Sequence, residues 1–254
     1  MQIALELVPR TLSSLLDEAK THIANFPKIT AINIPDLRSV EIKSFEASHH
    51  LLTNGVPTIP HFRLIDRTLT DLEILIEKLI PLGLTQTLLI SGDPPFDLAT
   101  KAPVVGFVPS GVKAPQAIEH IKKKFPQLKV YAGQDSYRQS FRKELDYCKQ
   151  KLDSGADGFF TQPFFSEGLL SQWLEQLPET EMWIGLSPVT GKNSRNYWET
   201  VNQVVFPPNF RFDLDGNCIM GRRILTLIEQ ANKNSYLMPI TISADKYLHG
   251  LRFF

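Results

Sequence analysis

The regular alternation of short apolar runs with longer amphipathic runs is the feature that most constrains the fold of this chain. The short runs are apolar on both faces, which is typical of parallel strands covered on both sides. We predict eight strands, over residues 3–8, 29–34, 58–62, 86–91, 129–132, 158–161, 183–186 and 237–242. The pattern therefore indicates an α/β protein.

The runs between these strands have the 3.6-residue period of amphipathic helices. Over residues 69–82 the apolar positions form one stripe, and either Thr68 or Thr70 is a candidate N-cap. Asp71 lies in the first turn of this helix, where its charge suits the helix dipole. Further helices are predicted over residues 141–152 and 219–231.

Strands alternating with helices along 254 residues predict a (β/α)8 TIM barrel, a fold that typically takes about 250 residues. One barrel uses the whole chain, so residues 1–254 are predicted to form a single domain. A doubly wound open sheet is the alternative. Two stretches lack a clear period: residues 94–114, read as a long loop after the fourth strand, and residues 206–217.

Composition argues against several classes of function. The 27 basic and 27 acidic residues give a net charge of zero, whereas a nucleic-acid binder usually has a basic excess. No stretch approaches the roughly 18 apolar residues of a membrane span, and the N-terminus lacks a signal-peptide pattern, so we expect a cytoplasmic enzyme without nucleic-acid or membrane partners. Cys148 and Cys218 lack metal-type spacing and are predicted to be free, buried thiols.

Metal and nucleotide motifs give no positive signal. His49 and His50 are adjacent on a predicted helix and cannot share a face, so we expect no metal site there. The chain contains no glycine-rich dinucleotide loop and no Walker loop.

In a barrel, the carboxyl ends of the strands form the active-site face. Polar residues gather at the predicted strand ends, as a small-molecule site needs. They are Glu6, Asn33, Asp36, His61, Arg63, Ser91, Gly92, Asp93, Tyr131, Gln134, Asp135, Gln162, Ser187, Ser243 and Asp245.

Glu6 is the sharpest single candidate because it interrupts an apolar strand. A carboxyl buried on both faces is costly unless it is paired or functional, and burial raises its pKa, which suits a general acid. The alternative is an ion pair with a basic neighbour such as Arg10 or Arg63. The sequence alone leaves both interpretations open.

Three other strand ends carry candidate groups. Ser91, Gly92 and Asp93 end the fourth strand, and Asp93 is expected to point into the barrel mouth. Gln162 offers a donor and an acceptor for a heterocycle edge, beside Phe164 and Phe165, which line either an apolar wall or the core. His61 ends the third strand, where a structural hydrogen bond is the commoner role for a lone histidine.

Taken in order, these segments resemble methylenetetrahydrofolate reductases. Residues 5–9 resemble the family's Phe-Glu-Phe-Phe-Pro strand, residues 91–95 its Gly-Asp-Leu-Pro-Pro signature, and residues 185–189 its Gly-Ile-Leu-Pro-Val strand. Residues 59–67 match its third strand with the following turn, and residues 151–165 give the best match. The resemblance runs from Leu5 to about Val189 and more loosely to the end.

The resemblance implies a TIM barrel that holds FAD and passes hydride from NAD(P)H through the flavin to 5,10-methylenetetrahydrofolate, as in methionine biosynthesis. It makes Glu6 the acid that opens the folate ring, and it places Asp93 near flavin and pterin and Gln162 on the pterin. The cofactor-binding positions that it implies are His61, Ser91, Gly92, Asp93, Tyr131 and Lys151.

This sequence departs from the family's pattern mostly at flavin contacts. Ser91 replaces an arginine, Gln150 replaces another, and the segment from Tyr131 to Asp135 lacks the family's histidine. An aromatic residue is missing at residues 191–192, and Ala244 stands where the eighth strand is expected to end in arginine. The folate-side residues are kept better.

Three interpretations fit this pattern. The chain is a divergent flavin-dependent reductase, as a homo-oligomer or with a partner subunit; or a flavin-free reductase that passes hydride directly from NAD(P)H to folate; or a folate-binding barrel without redox activity that serves as a partner or carrier. The presence of both Glu6 and Asp93 favours a reductase over a pure binder.

Overall fold

The computed structural model describes residues 1–94, 104–240 and 242–252. Its eight strands form a closed barrel in chain order, and every neighbouring pair is parallel, including the first strand with the last. The strands are β1 (Ile3–Glu6), β2 (Ile29–Ile34), β3 (Thr58–Arg63), β4 (Gln86–Ile90), β5 (Lys129–Gln134), β6 (Gly158–Pro163), β7 (Glu181–Leu186) and β8 (Asn234–Leu237). The predicted (β/α)8 barrel is confirmed, and the open-sheet alternative is wrong.

Helices surround the barrel, and all but the last, which follows β8, lie between successive strands in the chain. They are α1 (Leu12–Asn25), α2 (Ser44–Thr53), α3 (Leu69–Leu79), α4 (Ala114–Lys124), α5 (Phe141–Asp153), α6 (Glu167–Gln176), α7 (Lys192–Thr200), α8 (Leu214–Gln230) and α9 (Ala244–Leu251), and a 3₁₀ turn over Ile80–Leu82 extends α3. Thr68, not Thr70, caps α3, because its hydroxyl accepts from the backbone N–H of Asp71. In the part of the chain described, no helix is both long and apolar enough to cross a membrane.

The eighth strand is the element that the sequence placed wrongly. The prediction was residues 237–242, but the strand is Asn234–Leu237, and the other seven strands lie within two residues of their predicted bounds. Pro239 has no backbone N–H to donate to a ladder, and Ser235, although polar, is fully buried in the strand. Ser243, expected at the end of this strand, instead caps α9. Thr241 lies outside the described residues.

Helix α8 begins before its predicted start at residue 219, so the irregular stretch 206–217 is shorter than expected. Asp213 is the reason, because its side chain accepts from the backbone N–H of Gly216 and caps the helix. Of the predicted long loop, residues 95–103 lie outside the described part, and residues 104–113 contain neither helix nor strand. Ser110 fixes this loop to the end of β3 by donating to the carbonyl of Leu64 at 2.6 Å.

Two apolar layers hold the barrel together. The outward faces of the strands pack against the helices in one large core, which includes Cys148; both Cys148 and Cys218 are free and buried, as predicted. A second cluster fills the inside of the barrel with Ala4, Ala31, Ile59, Leu88, Tyr131, Phe160, Trp183, Tyr236 and Met238. The interior is therefore a packed core rather than a channel.

The amino end of the barrel is closed by a polar cluster centred on Glu181, the first residue of β7. Its carboxylate accepts from the hydroxyl of Tyr131 at 2.7 Å and from the indole Nε1 of Trp183 at 3.1 Å. The ammonium of Lys129 binds it at 3.0 Å. Burial raises the pKa of Tyr131 well above that of a free tyrosine, so its hydroxyl stays a donor.

Candidate active site

Glu6 is the last residue of β1, and its side chain lies on the inner face of the barrel. The alternation of the strand fixes this direction, because Ala4 is in the inner cluster and Leu5 is in the outer core. The hydroxyl of Tyr236, on the neighbouring β8, donates a hydrogen bond to Oε2 of Glu6. Burial raises the pKa of the Glu6 carboxyl from about 4.5 to about 7, against the opposing effect of the Tyr236 hydrogen bond.

In the described part of the chain, Glu6 forms no ion pair with Arg10 or Arg63, so that alternative is wrong. Arg63 is bound elsewhere, with Nη2 at 2.8 Å from Oδ2 of Asp66 and Nη1 donating to the backbone carbonyl of Asp36 at 3.0 Å. Arg10 makes no ion pair with any residue in the described part of the chain. Glu6 is therefore a carboxyl group with a neutral partner, which is the condition for holding a proton near neutral pH.

Two further side chains extend the Glu6–Tyr236 pair across the inner wall. The ring of His61 meets that of Tyr236 edge-on with centroids 6.3 Å apart, and Nε2 of His61 lies 3.0 Å from Nδ2 of Asn33. Burial lowers the pKa of His61 to about 3, so the imidazole is neutral. These residues, on β8, β1, β2 and β3, form one continuous polar group on the inner face of the barrel.

A cavity of about 460 Å³ opens beside Glu6 at the carboxyl end of the barrel. Its walls come from the end of β1 with the segment that follows it, from α1, and from the segment between β8 and the start of α9. The lining residues are Glu6, Leu7, Val8, Arg10, Ser14, Leu15, Glu18, Pro239, Ile240, Ile242, Ser243 and Ala244. The cavity is lined by polar and apolar groups in about equal measure, including the acids Glu6 and Glu18 and the base Arg10. Its volume falls in the range of small-molecule sites.

Ser91, Gly92 and Asp93 lie at the carboxyl end of β4, as predicted, but Asp93 does not point inward. Its side chain is 62% exposed and accepts from Nη1 of Arg138 at 2.8 Å. Arg138 also lies 3.2 Å from Asp135, so it joins the ends of β4 and β5 along the rim. Arg138 was not identified from the sequence, because an exposed arginine in a loop has no distinguishing pattern.

Gln162 lies on the inner face of β6, two residues after Phe160 of the inner cluster, and is half-buried. The β6–β7 ladder shifts register between Phe160 and Pro163, and this irregularity surrounds Gln162. Phe164 belongs to the outer core, whereas Phe165 packs in a separate aromatic cluster with Trp198 and Phe210. Of the two roles considered for these phenylalanines, Phe164 therefore has the core role, whereas Phe165 belongs to a separate aromatic cluster.

Neither Tyr131 nor Lys151 lines the mouth of the barrel. Tyr131 is the third residue of β5, and its hydroxyl binds Glu181 at the opposite end of the barrel. Lys151 lies on α5 outside the barrel, where its ammonium donates to the carbonyl of Gly133 at 2.7 Å and lies over the ring of Tyr147. Both residues stabilise the barrel instead of lining its mouth.

Tyr236 is a second site residue that the sequence did not reveal. The predicted eighth strand began at residue 237, which left Tyr236 outside it. The available signal was that Tyr236 directly precedes Leu237, so that the apolar run of the predicted strand could have been extended back to include Tyr236. Among the described residues, no group of three or more histidine, cysteine, aspartate or glutamate side chains is placed to hold a metal.

Comparison with known proteins adds sequence and fold relationships. The family model for methylenetetrahydrofolate reductase matches residues 5–216. Methylenetetrahydrofolate reductase 2 of Saccharomyces cerevisiae is 26% identical over 176 residues, which is 63% of this chain and 28% of the yeast protein. The chain thus spans little more than a quarter of the length of this curated relative.

Solved structures resemble the whole barrel at low sequence identity. An uncharacterized protein from Clostridium thermocellum, described as binding two copies of 5-methyl-5,6,7,8-tetrahydrofolic acid, has a TM-score of 0.67 and 11% identity, covering 99% of this chain and 93% of that one. A 2,3-dimethylmalate lyase has a TM-score of 0.59 and 9% identity, covering 99% and 78%. At these identities the likeness shows the fold alone.

Proposed function

Because this chain belongs to the methylenetetrahydrofolate reductase family, we propose that it binds a reduced folate at the carboxyl end of its barrel and reduces 5,10-methylenetetrahydrofolate to 5-methyltetrahydrofolate with hydride from NAD(P)H. The observation that carries the proposal is the Glu6 carboxyl, which lines the cavity and keeps its proton near neutral pH. The folate carried by the Clostridium thermocellum barrel supports the choice of ligand.

The proposed chemistry needs one acid. Glu6 protonates N10 of the folate, and the bond from N10 to the bridging carbon breaks, which leaves an iminium at N5. Hydride adds to that carbon and gives the 5-methyl group, while NAD(P)H becomes NAD(P)⁺. A carboxyl whose pKa is about 7 both holds a proton and releases one at neutral pH, as a general acid must. In this proposal Gln162 hydrogen-bonds the pterin edge, and Asp93 contacts the folate from the rim.

FAD is the hydride carrier that the family resemblance implies, and the described residues do not fit it well. Of the six expected contacts, Ser91, Gly92 and Asp93 lie at the carboxyl end, whereas Tyr131 and Lys151 are held elsewhere by Glu181 and Gly133. His61 is 4% exposed and is covered by Tyr236 and Asn33. We therefore assign no step to a flavin.

Replacing Glu6 with glutamine tests the proposal. Glutamine keeps the shape of the side chain and removes the transferable proton, so we expect reduction of methylenetetrahydrofolate to fall by roughly 10²-fold or more, the lower range for loss of a general acid. Binding of 5-methyltetrahydrofolate, measured by calorimetry, should persist. The matched control is Glu175→Gln, which changes an exposed carboxylate on α6. Full turnover in the Glu6 variant would exclude this role.

A folate-binding barrel without redox activity is the second candidate, and the displacement of Tyr131 and Lys151 from the mouth favours it. The visible spectrum and an NAD(P)H oxidation assay on the purified protein separate the possibilities. Stoichiometric flavin bands support a flavin-dependent reductase. A colourless protein that still oxidises NAD(P)H with methylenetetrahydrofolate supports direct hydride transfer. A colourless protein that binds 5-methyltetrahydrofolate without oxidising NAD(P)H supports the binding role.

A further inference from the structure

We propose that Tyr236 is a positioning residue whose hydroxyl selects which carboxyl oxygen of Glu6 carries the transferable proton. The inference rests on the proposed function in so far as the proton is passed to a folate. The hydrogen-bond arrangement itself can be tested in the unliganded protein.

The barrel holds Tyr236 in one orientation. Ala4 of β1 pairs with Tyr236 of β8, so the tyrosine ring lies on the inner face beside the strand that carries Glu6. The ring packs edge-on against Phe160, with centroids 5.1 Å apart and planes at 83°, and it is 4% exposed. A ring enclosed in this way can direct its hydroxyl toward few partners, and Oε2 of Glu6 is the partner it has.

The location of the Glu6 proton follows from counting donors and acceptors. If Oε2 carried the proton, it would donate to the Tyr236 oxygen, and the phenolic hydrogen would lose its acceptor in the described interior. An unpaired buried hydroxyl hydrogen costs on the order of 1–3 kcal/mol. The favoured arrangement therefore has Tyr236 donating to Oε2 and the acid proton on Oε1, the oxygen that Tyr236 leaves free.

No other titratable group competes for this role in the described part of the chain. His61 on β3 faces the tyrosine ring and is bonded to Asn33. Arg10, in the segment between β1 and α1, and Glu18, on α1, line the cavity, and neither hydrogen-bonds the Glu6 carboxyl. After proton transfer, the Tyr236 hydroxyl remains as a donor to the carboxylate.

The variant Tyr236→Phe removes the donor and keeps the ring. Since the lost hydrogen bond holds the pKa of Glu6 down while burial raises it, we expect Glu6 to titrate at higher pH in this variant, by about one pH unit or more. The measurement is the carboxyl C=O infrared band of the unliganded protein as a function of pH. The Glu6→Gln protein supplies the blank that identifies the band.

Tyr131→Phe is the matched control. Tyr131 is a second buried tyrosine of the same inner cluster, and its hydroxyl binds Glu181 at the far end of the barrel. Its removal should leave the titration of Glu6 unchanged. If Tyr236→Phe does not fold, wild-type protein labelled throughout with 3-fluorotyrosine replaces it. The fluorinated phenol is a stronger donor and should move the titration of Glu6 to lower pH.

The outcomes separate this inference from the proposed function. An unchanged Glu6 titration in Tyr236→Phe, or in the fluorotyrosine protein, would overturn the role of Tyr236. A shifted titration in a protein that neither binds nor reduces folate would support the hydrogen-bond arrangement and remove the proposed function. If the protein is a reductase, its rate should fall as the pH rises through the pKa of Glu6, and this alkaline limb of the pH–rate profile should move in the same direction as the infrared titration.

Discussion

At the scale of single residues, the site depends on one carboxyl group set into an apolar wall. Its position could be predicted, because an acid inside an apolar strand is visible in the sequence. Its partner could not, because Tyr236 comes from a strand more than two hundred residues away and its contact depends on how β8 closes against β1. The distinction between an ion pair and a neutral partner likewise required the positions of Asp36 and Asp66, which bind Arg63.

Gly92 is a residue whose substitution should be costly. Its φ is +78°, and a Cβ there would lie 3.0 Å from Cγ and Cδ of Arg63. We expect Gly92→Ala to destabilise the protein by about 1–3 kcal/mol for the left-handed backbone and by roughly 1 kcal/mol more for the contact. Urea denaturation measures the change in the free energy of unfolding.

Gly55→Ala is the matched control for this substitution. Gly55 has a φ of +74°, and a Cβ there would meet nothing within 4 Å, so this variant has only the backbone cost. Equal destabilisation of the two variants would show that Arg63 moves aside freely, in spite of its bonds to Asp36 and Asp66.

Tyr131 and Lys151 show why sequence alignment alone misplaces side chains in a barrel. Each β-strand residue faces inward or outward and lies nearer one end or the other, and a motif match specifies neither property when the local sequence has diverged. Tyr131 faces inward but sits low in β5, and Lys151 lies on a helix behind the strand. Which end of the barrel a side chain reaches thus depends on its position along the strand or helix in the folded structure.

At the scale of elements, seven of the eight strands were predictable from their apolar runs. The eighth was not, because its first two residues, Asn234 and Ser235, are polar, and apolar residues continue beyond its end at Leu237. The backbone N–H of Ser235 donates to the carbonyl of Gln2, so pairing with the first strand compensates for the polar composition. Long-range pairing of this kind is absent from any local pattern.

The cap of α3 gives a test at this scale. Thr68 and Asp71 form a reciprocal capping box, in which each side chain accepts from the backbone N–H of the other. We expect Thr68→Ala to lower the free energy of unfolding by about 1 kcal/mol. Thr70 is the exposed second residue of α3, and Thr70→Ala should change the free energy of unfolding by only about a few tenths of a kcal/mol. Thermal or urea unfolding of both variants distinguishes them, and equal losses would assign the cap wrongly.

At the scale of the whole molecule, Glu6 and His61 give opposite pH dependences to stability. The pKa of Glu6 is raised from about 4.5 to about 7, so its contribution is present below pH 4.5 and is lost as the pH rises through 7. The pKa of His61 is lowered from about 6.5 to about 3, so stability is lost as the pH falls from 6.5 toward 3. Between pH 4.5 and 6.5 the two effects oppose one another.

Replacing Glu6 with glutamine should isolate the pH dependence of stability that Glu6 contributes. We expect the free energy of unfolding of Glu6→Gln to fall on acidification from pH 6.5 to 4.5 by about 1 kcal/mol per pH unit relative to the wild type. Urea denaturation at several pH values measures this difference, in which the other titrating groups cancel. A difference that stays constant with pH would mean that Glu6 titrates normally.

The fold as a whole was more predictable than the site within it. The alternation of strands and helices leaves few architectures for a chain of 254 residues, and the closed barrel is one of them. The mouth of the barrel depends instead on loops, on the inward or outward direction of single residues and on contacts such as Arg138 with Asp93. Such contacts have no period and therefore no sequence signal.

The closed amino end limits how ligands can enter and leave the barrel. Tyr131, Trp183 and Lys129 are bound to Glu181 there, and aromatic rings fill the space above them, so nothing can cross the barrel from one end to the other. In the proposed function, a folate and a nicotinamide donor would both have to enter at the opposite, carboxyl end. One ligand would then have to dissociate before the other binds, unless both fit side by side at the carboxyl end.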